Sequence, residues 1–257
     1  MELNHFLNAA IEMAKAAGKI QLEYFRSAHL NIQTKSNEYD VVTAADKASE
    51  KIIKDYIHSL FPDHGIISEE STDENANNEW RWVIDPLDGT TNFSQGLPVF
   101  SVSIALEYNK EAVLGVVFAP YLNEMFHSIK GKGAFLNNNR IKCSEKDSLT
   151  EAVIATGVPY DKMINPDNNI KEIAELAPKV RGIRRYGSAA LDLSYVAAGF
   201  LDGYWELNLN LWDVAAGRLI AHEAGAVITS IRKNRNFSIL AANSSLIPTL
   251  LDILDKT

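Results

Sequence analysis

The sequence predicts a mixed fold, with an amino-terminal α+β subdomain over residues 1–147 and a carboxy-terminal α/β subdomain over residues 148–257. Two observations carry this. Between Val99 and Ser128 three β-rich runs are separated by turn residues such as Asn109-Lys110 and Pro120, the pattern of an antiparallel meander. After about Asp147, short strand patterns alternate with helical ones.

In chain order, Leu3, Phe6, Leu7, Ala10, Ala14 and Ala17 recur at helical spacing and predict an amphipathic helix reaching about Phe25, loosened at Gly18. A second helix is expected from Ala44 to Leu60, closed by Phe61-Pro62 because proline cannot continue it. Strands are expected over Gly65–Ser68 and Trp80–Ile84, with a polar loop from Ser71 to Glu79 between them. The meander strands follow at Val99–Glu107, Val113–Ala119 and Glu124–Ser128, and Gly131 to Ala134 marks a turn before Phe135-Leu136. The carboxy-terminal half reads as strands at Ala152–Thr156, Gly182–Tyr186, Gly203–Leu211 and Ala226–Ile231. Helices are expected near Asp167–Leu176, Ser188–Ala198 and Val214–Ala224. There is no internal repeat and no low-complexity tract.

A chain of 257 residues with 46% apolar composition can bury a full core, and it is neither disordered nor fibrous in composition. Its formal charge is 25 − 33 = −8 without a block of like charges, which argues against nucleic acid or an anionic membrane as a general partner. Cys143 is the single cysteine, so no intramolecular disulfide or Cys-rich zinc site can form, and a reducing cytoplasm is expected. The amino end, Met1 to Phe6, does not read as a secretory signal, and no apolar stretch approaches the roughly 20 residues that span a bilayer. Six histidines lack zinc-like spacing.

Carboxylates carry the chemistry. The apolar run Trp80 to Ile84 delivers Asp85, Pro86 is expected to end the strand ladder, and Asp88 follows a tight turn later. Two acids held this close repel unless a cation or donors lie between them, and hard divalent cations match oxygen ligands. Gly89-Thr90-Thr91-Asn92 reads as the opening of a short helix whose free N–H groups would bind an anion beside the metal. Metal-binding acids beside a phosphate cradle point to phosphoryl chemistry; an ordinary Asp/Gly turn is the plainer reading. Glu69-Glu70, beyond a strand end, sits where a ligand can reach a shared cleft, although an acidic pair at a strand end is more often a solvated surface. Asp213 reads as the N-cap of the alanine-rich helix after it, or as a carboxylate beside Trp212 in need of a metal. Thr43 as N-cap and Asp46 at N3 have a sufficient structural explanation in the second helix.

Two long segments resemble the signatures of the inositol monophosphatase family: Trp82 to Phe93, containing Asp85-Pro86-Leu87-Asp88-Gly89-Thr90-Thr91, and Trp212-Asp213-Val214-Ala215-Ala216-Gly217 through Ala226. Lys35-Ser36, Asp40, Val42-Thr43, Asp46 and Glu69-Glu70 sit where that family has its upstream motifs. The resemblance implies a layered αβαβα sandwich of the inositol monophosphatase and fructose-1,6-bisphosphatase type, commonly a homodimer, with up to three Mg²⁺ ions and inhibition by Li⁺. Carried over by position, it implies Glu69, Asp85 and the Leu87 carbonyl as ligands of one metal, and Asp85, Asp88 and Asp213 of a second. Glu69 would also help place a third ion, while Asp46 and Thr90 would orient the attacking water. The Gly89 and Thr90 amides would hold phosphate, the Gly187-Ser188-Ala189 loop would border the substrate, and Glu206 would accept its hydroxyls or else be an ordinary strand residue. The implied substrate is inositol 1-phosphate or a related small polyol or sugar phosphate. Gly157-Val158-Pro159-Tyr160 departs from the animal enzymes, and Arg184-Arg185 adds cations suited to a second phosphate, as in fructose 1,6-bisphosphate or NADP. Because folds and even sites can outlive their chemistry, a cation-binding regulatory module without turnover is a third reading; some bacterial members of the family have roles beside the transcription machinery, which the acidic balance here does not independently support.

Overall fold

The computed structural model describes residues 3–27, 32–34 and 41–254, and only the backbone of residues 34 and 41. Lys35, Ser36 and Asp40, which carry part of the resemblance, lie outside the described residues.

Helix α1 (Asn4–Tyr24) buries Ala10, Met13, Ala14, Ala17, Gly18 and Gln21, a stripe at helical spacing. The helix is continuous at Gly18, where a side chain would meet the Phe118 ring at 2.7 Å. Glycine there marks a close helix–sheet approach, not a loosened turn. After the ribbon β1 (Gln33–Thr34) and β2 (Val41–Val42), helix α2 (Ala44–Leu60) starts and stops where the sequence predicts. Thr43 and Asp46 form a reciprocal capping box at its amino end.

Seven strands lie side by side in chain order in the first sheet: β3 (Gly65–Ser68), β4 (Trp80–Asp88), β5 (Ser101–Tyr108), β6 (Glu111–Ala119), β7 (Glu124–Ile129), β8 (Ala134–Leu136) and β9 (Asn139–Ile141). Only the β3–β4 pairing is parallel. The rest is the expected meander. Pro86 does not end β4. The strand continues to Asp88, and the register with β5 slips between Asp85 and Asp88. This bulge replaces the expected tight turn and redirects the side chains it carries.

Helix α3 (Thr90–Ser94) follows at once, and the second sheet is built later from β10 (Val153–Thr156), β11 (Gly182–Arg184), β12 (Gly203–Leu209), β13 (Val227–Ser230) and β14 (Phe237–Ala242). Its spatial order is β11-β10-β12-β14-β13. Strand–helix alternation makes β10 parallel to β11 and to β12, whereas β14 runs antiparallel to β12 and β13. The connecting helices are α4 (Ile170–Leu176), α5 (Ala189–Ala197), α6 (Leu211–Glu223) and α7 (Ile247–Leu254).

Three apolar clusters order the layers. Ala10, Met13, Ile53 and Ile57 of α1 and α2 pack on Trp82, Ile104 and Val116 of the first sheet. Val83, Ala105 and Val117 on its opposite face join α5 and α6 to Tyr204, Ile239 and Ala241 of the second sheet. Ile154, Trp205 and Leu240 then face Leu176, Leu250 and Leu254 of α4 and α7. The chain is therefore a layered αβαβα sandwich. None of the described helices is long and apolar enough to cross a membrane.

Candidate active site

The bulge in β4 is tied down before it carries any chemistry. Gln21 Nε2 of α1 donates to the Pro86 carbonyl (2.7 Å), and the Leu87 amide donates to Asp85 Oδ1 (3.0 Å). Gly89 follows with φ +95°, a conformation that an L side chain rarely adopts, and a Cβ there would approach the Val99 carbonyl to 3.0 Å. Asp85 and Asp88 thus leave a strand end on a backbone with little freedom.

A cavity of about 350 Å³ opens there. Glu69 and Asp85 reach it from the ends of β3 and β4, Asp88 from the bulge, and Asp213 from the first turn of α6. Glu206 of β12 and Asp161 line the other side, and Arg185 is the one cation lining the cavity among the described residues. Leu87, Gly89, Thr90 and Ala189 also line it. Arg184 does not: its guanidinium turns back to the Ile183 carbonyl (3.1 Å).

Asp88 receives the Ser188 hydroxyl (2.7 Å) and the Ala190 and Ala189 amides (2.8 and 3.3 Å), so it satisfies the open amino end of α5 across a hundred residues of chain. Burial still pushes its carboxyl up to about 6, against the opposing effect of those donors. Asp85 rises well above the ordinary carboxylate range, first through burial and then through the charges of Glu69, Asp88 and Asp213, and it shares a hydrogen bond with Glu69. Burial and Glu69 raise Asp213 in the same way. These acids hold more negative charge in one place than the protein itself neutralises.

Asp46 is fully buried and occupied on both oxygens. Oδ2 accepts from the Thr43 amide and hydroxyl (2.8 and 2.6 Å), and Oδ1 from Thr90 Oγ1 (2.9 Å). Thr90 Oγ1 also lies 3.0 Å from the Leu87 carbonyl. Capping and a link to the cavity wall therefore coexist in one carboxylate. Asp213 is not an N-cap: Asn210 is, and Asp213 at N3 accepts the Asn210 amide at 2.6 Å. The Asn-x-x-Asp spacing of a capping box was the available signal.

On the opposite wall Glu206 accepts the Tyr204 hydroxyl (2.7 Å). Burial lifts Glu206 to about 7, opposed by Tyr204 and Arg185. A Cβ on Gly157 would collide with the Glu206 carboxylate, so the glycine leaves room for this acid. Buried Asn169 fastens the end of β10 by donating to Thr156 Oγ1 (2.8 Å) and the Gly157 carbonyl (2.5 Å) while accepting from Trp205 Nε1 (2.6 Å). Ser188, Tyr204, Asn169 and Asp161 had no functional signal of their own in the sequence beyond the Gly187-Ser188-Ala189 resemblance.

Glu69, Asp85, Asp88 and Asp213 bring oxygen atoms and no sulfur or imidazole to the cavity, the chemistry that suits a hard divalent cation. Among the described residues no three His, Cys, Asp or Glu side chains stand close enough together to hold a metal ion as they are placed. Acids from several elements and one arginine line a cavity at strand ends of a layered αβαβα sandwich, and the family match makes the protein a phosphatase. The chain belongs to the inositol monophosphatase family, whose model matches residues 2–255. It is 36% identical to the inositol-1-monophosphatase of Mesorhizobium japonicum, covering 100% of this chain and 98% of the relative. It is 42% identical to the Nus factor SuhB of Pasteurella multocida, over 91% and 88% of the two chains. The solved inositol monophosphatase of Anabaena (Nostoc) superposes with a TM-score of 0.89 at 40% identity, covering 99% of this chain and 96% of that one.

Proposed function

We propose that this chain hydrolyses inositol 1-phosphate or a close polyol or sugar monophosphate with Mg²⁺, two or three ions being held by Glu69, Asp85, the Leu87 carbonyl, Asp88 and Asp213. The observation that carries this reading is the meeting of Glu69, Asp85, Asp88 and Asp213, from separate elements, on one cavity that also holds Glu206 and Arg185. When bound, Mg²⁺ supplies an acidified water and charge stabilisation of the leaving oxygen.

The chain's own groups do the positioning. Asp46 takes the Thr90 hydroxyl proton into a hydrogen bond, which fixes Thr90 Oγ1 toward the cavity to orient the attacking water. The amides of Gly89 and Thr90 receive the phosphate oxygens at the start of α3. Glu206, held by Tyr204, accepts hydrogen bonds from substrate hydroxyls, and Ala189 borders the ring. Arg185 supports a second reading, in which a further phosphate is held as in fructose 1,6-bisphosphate or NADP. The proposal extends to a cytoplasmic homodimer, supported by the family resemblance and by a free Cys143.

Phosphate release from a panel of inositol 1-phosphate, fructose 1,6-bisphosphate and NADP, with and without Mg²⁺, tests these readings. We expect Mg²⁺-dependent release, strongest with inositol 1-phosphate, and its loss in Asp88→Asn with the fold kept; unaltered turnover in that variant would overturn the assignment. Some relatives are named as Nus factors, so a panel without turnover, together with Mg²⁺ stabilisation, would favour a regulatory module.

A further inference from the structure

Helix α2 carries a polar stripe at strict four-residue spacing: Asp46, Glu50, Lys54 and His58. Every member faces the segment from Ser68 to Glu74 or the neighbouring cavity wall. Asp46 meets Thr90, and Glu50 meets Ser68 and Ser71. Lys54 reaches Ser71 Oγ at 2.9 Å and pairs with Glu74, which also accepts His58 Nε2 at 2.7 Å.

Glu50 holds the central place. It is buried, with 8% of its surface exposed, and one carboxylate oxygen accepts both the Ser68 hydroxyl (2.5 Å) and the Ser71 hydroxyl (2.8 Å). These two serines bracket Glu69-Glu70 on either side. The Glu69 amide has a backbone anchor of its own, the Ile84 carbonyl (3.3 Å). On the Ser71 side the second contact is Lys54, whose ammonium also pairs with Glu74, so Glu50 is the buried group that holds both serines at once.

We propose that Glu50 is a positioning residue: by accepting both serine hydroxyls it fixes the four-residue turn Ser68-Glu69-Glu70-Ser71 and so sets the direction in which Glu69 presents its carboxylate to a divalent cation. The inference rests on the reading of Glu69 as a metal ligand. Groups that orient ligands in this manner typically contribute 10–100-fold to metal affinity. A purely structural role would lower stability and leave the cation affinity alone.

The test measures Mg²⁺ titrations of wild type, Glu50→Ala, Glu50→Gln and the exposed-face control Lys51→Ala by two readouts, the melting temperature and phosphate release. We expect Glu50→Ala to raise the Mg²⁺ midpoint about tenfold in both readouts. Its kcat at saturating Mg²⁺ should stay within about threefold. Glu50→Gln keeps a carbonyl acceptor for both hydroxyls and should recover most of the affinity. Lys51→Ala should match wild type. A Glu50→Ala protein that melts earlier but keeps the wild-type Mg²⁺ midpoint would overturn the proposal. Should that variant fail to fold, Ser68→Ala with Ser71→Ala removes the same contacts from the other side, and an unchanged midpoint there overturns it equally. A wild type without any Mg²⁺ response would instead overturn the reading of Glu69 as a ligand.

Discussion

The two walls of the cavity are built on different physical terms. The acidic wall comes from β3, β4 and the first turn of α6, where Asp85, Asp88 and Asp213 each accept a backbone amide. The opposite wall joins Glu206 of β12 to the loop after β10, which has no regular structure between Thr156 and α4 and is tied by Arg232 and Arg235. Arg235 Nη2 donates to both carboxylate oxygens of Asp161 (2.9 and 2.7 Å), and its Nη1 reaches the Asp167 carbonyl. Arg232, itself nearly buried, binds Asp167, Glu172 and the carbonyls of Ile231 and Leu254. One wall therefore has its charges fixed by secondary structure, and the other combines Glu206 on a strand with a shaped loop that ion pairs keep in place. The difference teaches where chemistry and selectivity should separate: reactive groups need the stiffer support, while a loop held by side chains can vary with substrate.

Breaking the acidic wall should have the largest effect. Asp46→Asn cannot accept at both oxygens, so it must give up either the Thr43 cap or Thr90. We expect kcat to fall by about 100-fold or more, with a stability loss of about 1 kcal/mol for the weakened cap. Steady-state kinetics and urea unfolding of the same preparation separate the two.

Breaking the loop wall should act on KM. Arg235→Ala leaves the cavity-lining Asp161 without its guanidinium partner, and we expect KM for the monophosphate to rise about fivefold, equivalent to about 1 kcal/mol, with kcat within about twofold. A larger fall in kcat than in apparent affinity would erase the distinction between the walls.

The smallest effect sharpens the comparison through pH. Asp85, Asp88 and Asp213 all have raised affinities for protons in the fold, and Asp88 titrates at about 6. The folded state then binds more protons than the unfolded one, so this contribution to stability is full below the ordinary aspartate range; the Asp88 share is lost as pH rises through about 6 and the Asp85 and Asp213 shares as pH rises through their own raised values. Metal-free protein should accordingly melt lower at pH 7.5 than at pH 5.5. Saturating Mg²⁺ should raise Tm by about 5 °C at pH 7.5 and by less at pH 5.5, as read by scanning calorimetry.

Local chemistry made much of the fold legible. The α2 boundaries follow from Thr43, Asp46 and Phe61-Pro62, and the meander follows from alternating apolar runs with turn residues between them. Strand β9 escaped because Asn139-Arg140-Ile141 is short and exposed, without an apolar alternation. Strand β4 ran past Pro86 because a bulge absorbs the lost donor, something that proline's own chemistry does not reveal. In the site, Asp85 and Asp88 stood out because they are close in sequence and share a strand end.

What the sequence by itself determined is the set of chemical groups and their local frames: the acids, the glycine that must take a positive φ, the capping boxes and the two family signatures. Only the tertiary structure decided which groups meet. Asp88 finds its donors at Ser188 and Ala190, Arg235 its partner at Asp161, and Arg185 enters the cavity while adjacent Arg184 turns away. The physical reason is that such contacts join segments tens to a hundred residues apart. Their existence is fixed by how five layers stack around shared apolar clusters, and that stacking leaves no periodic trace at the polar positions it brings together.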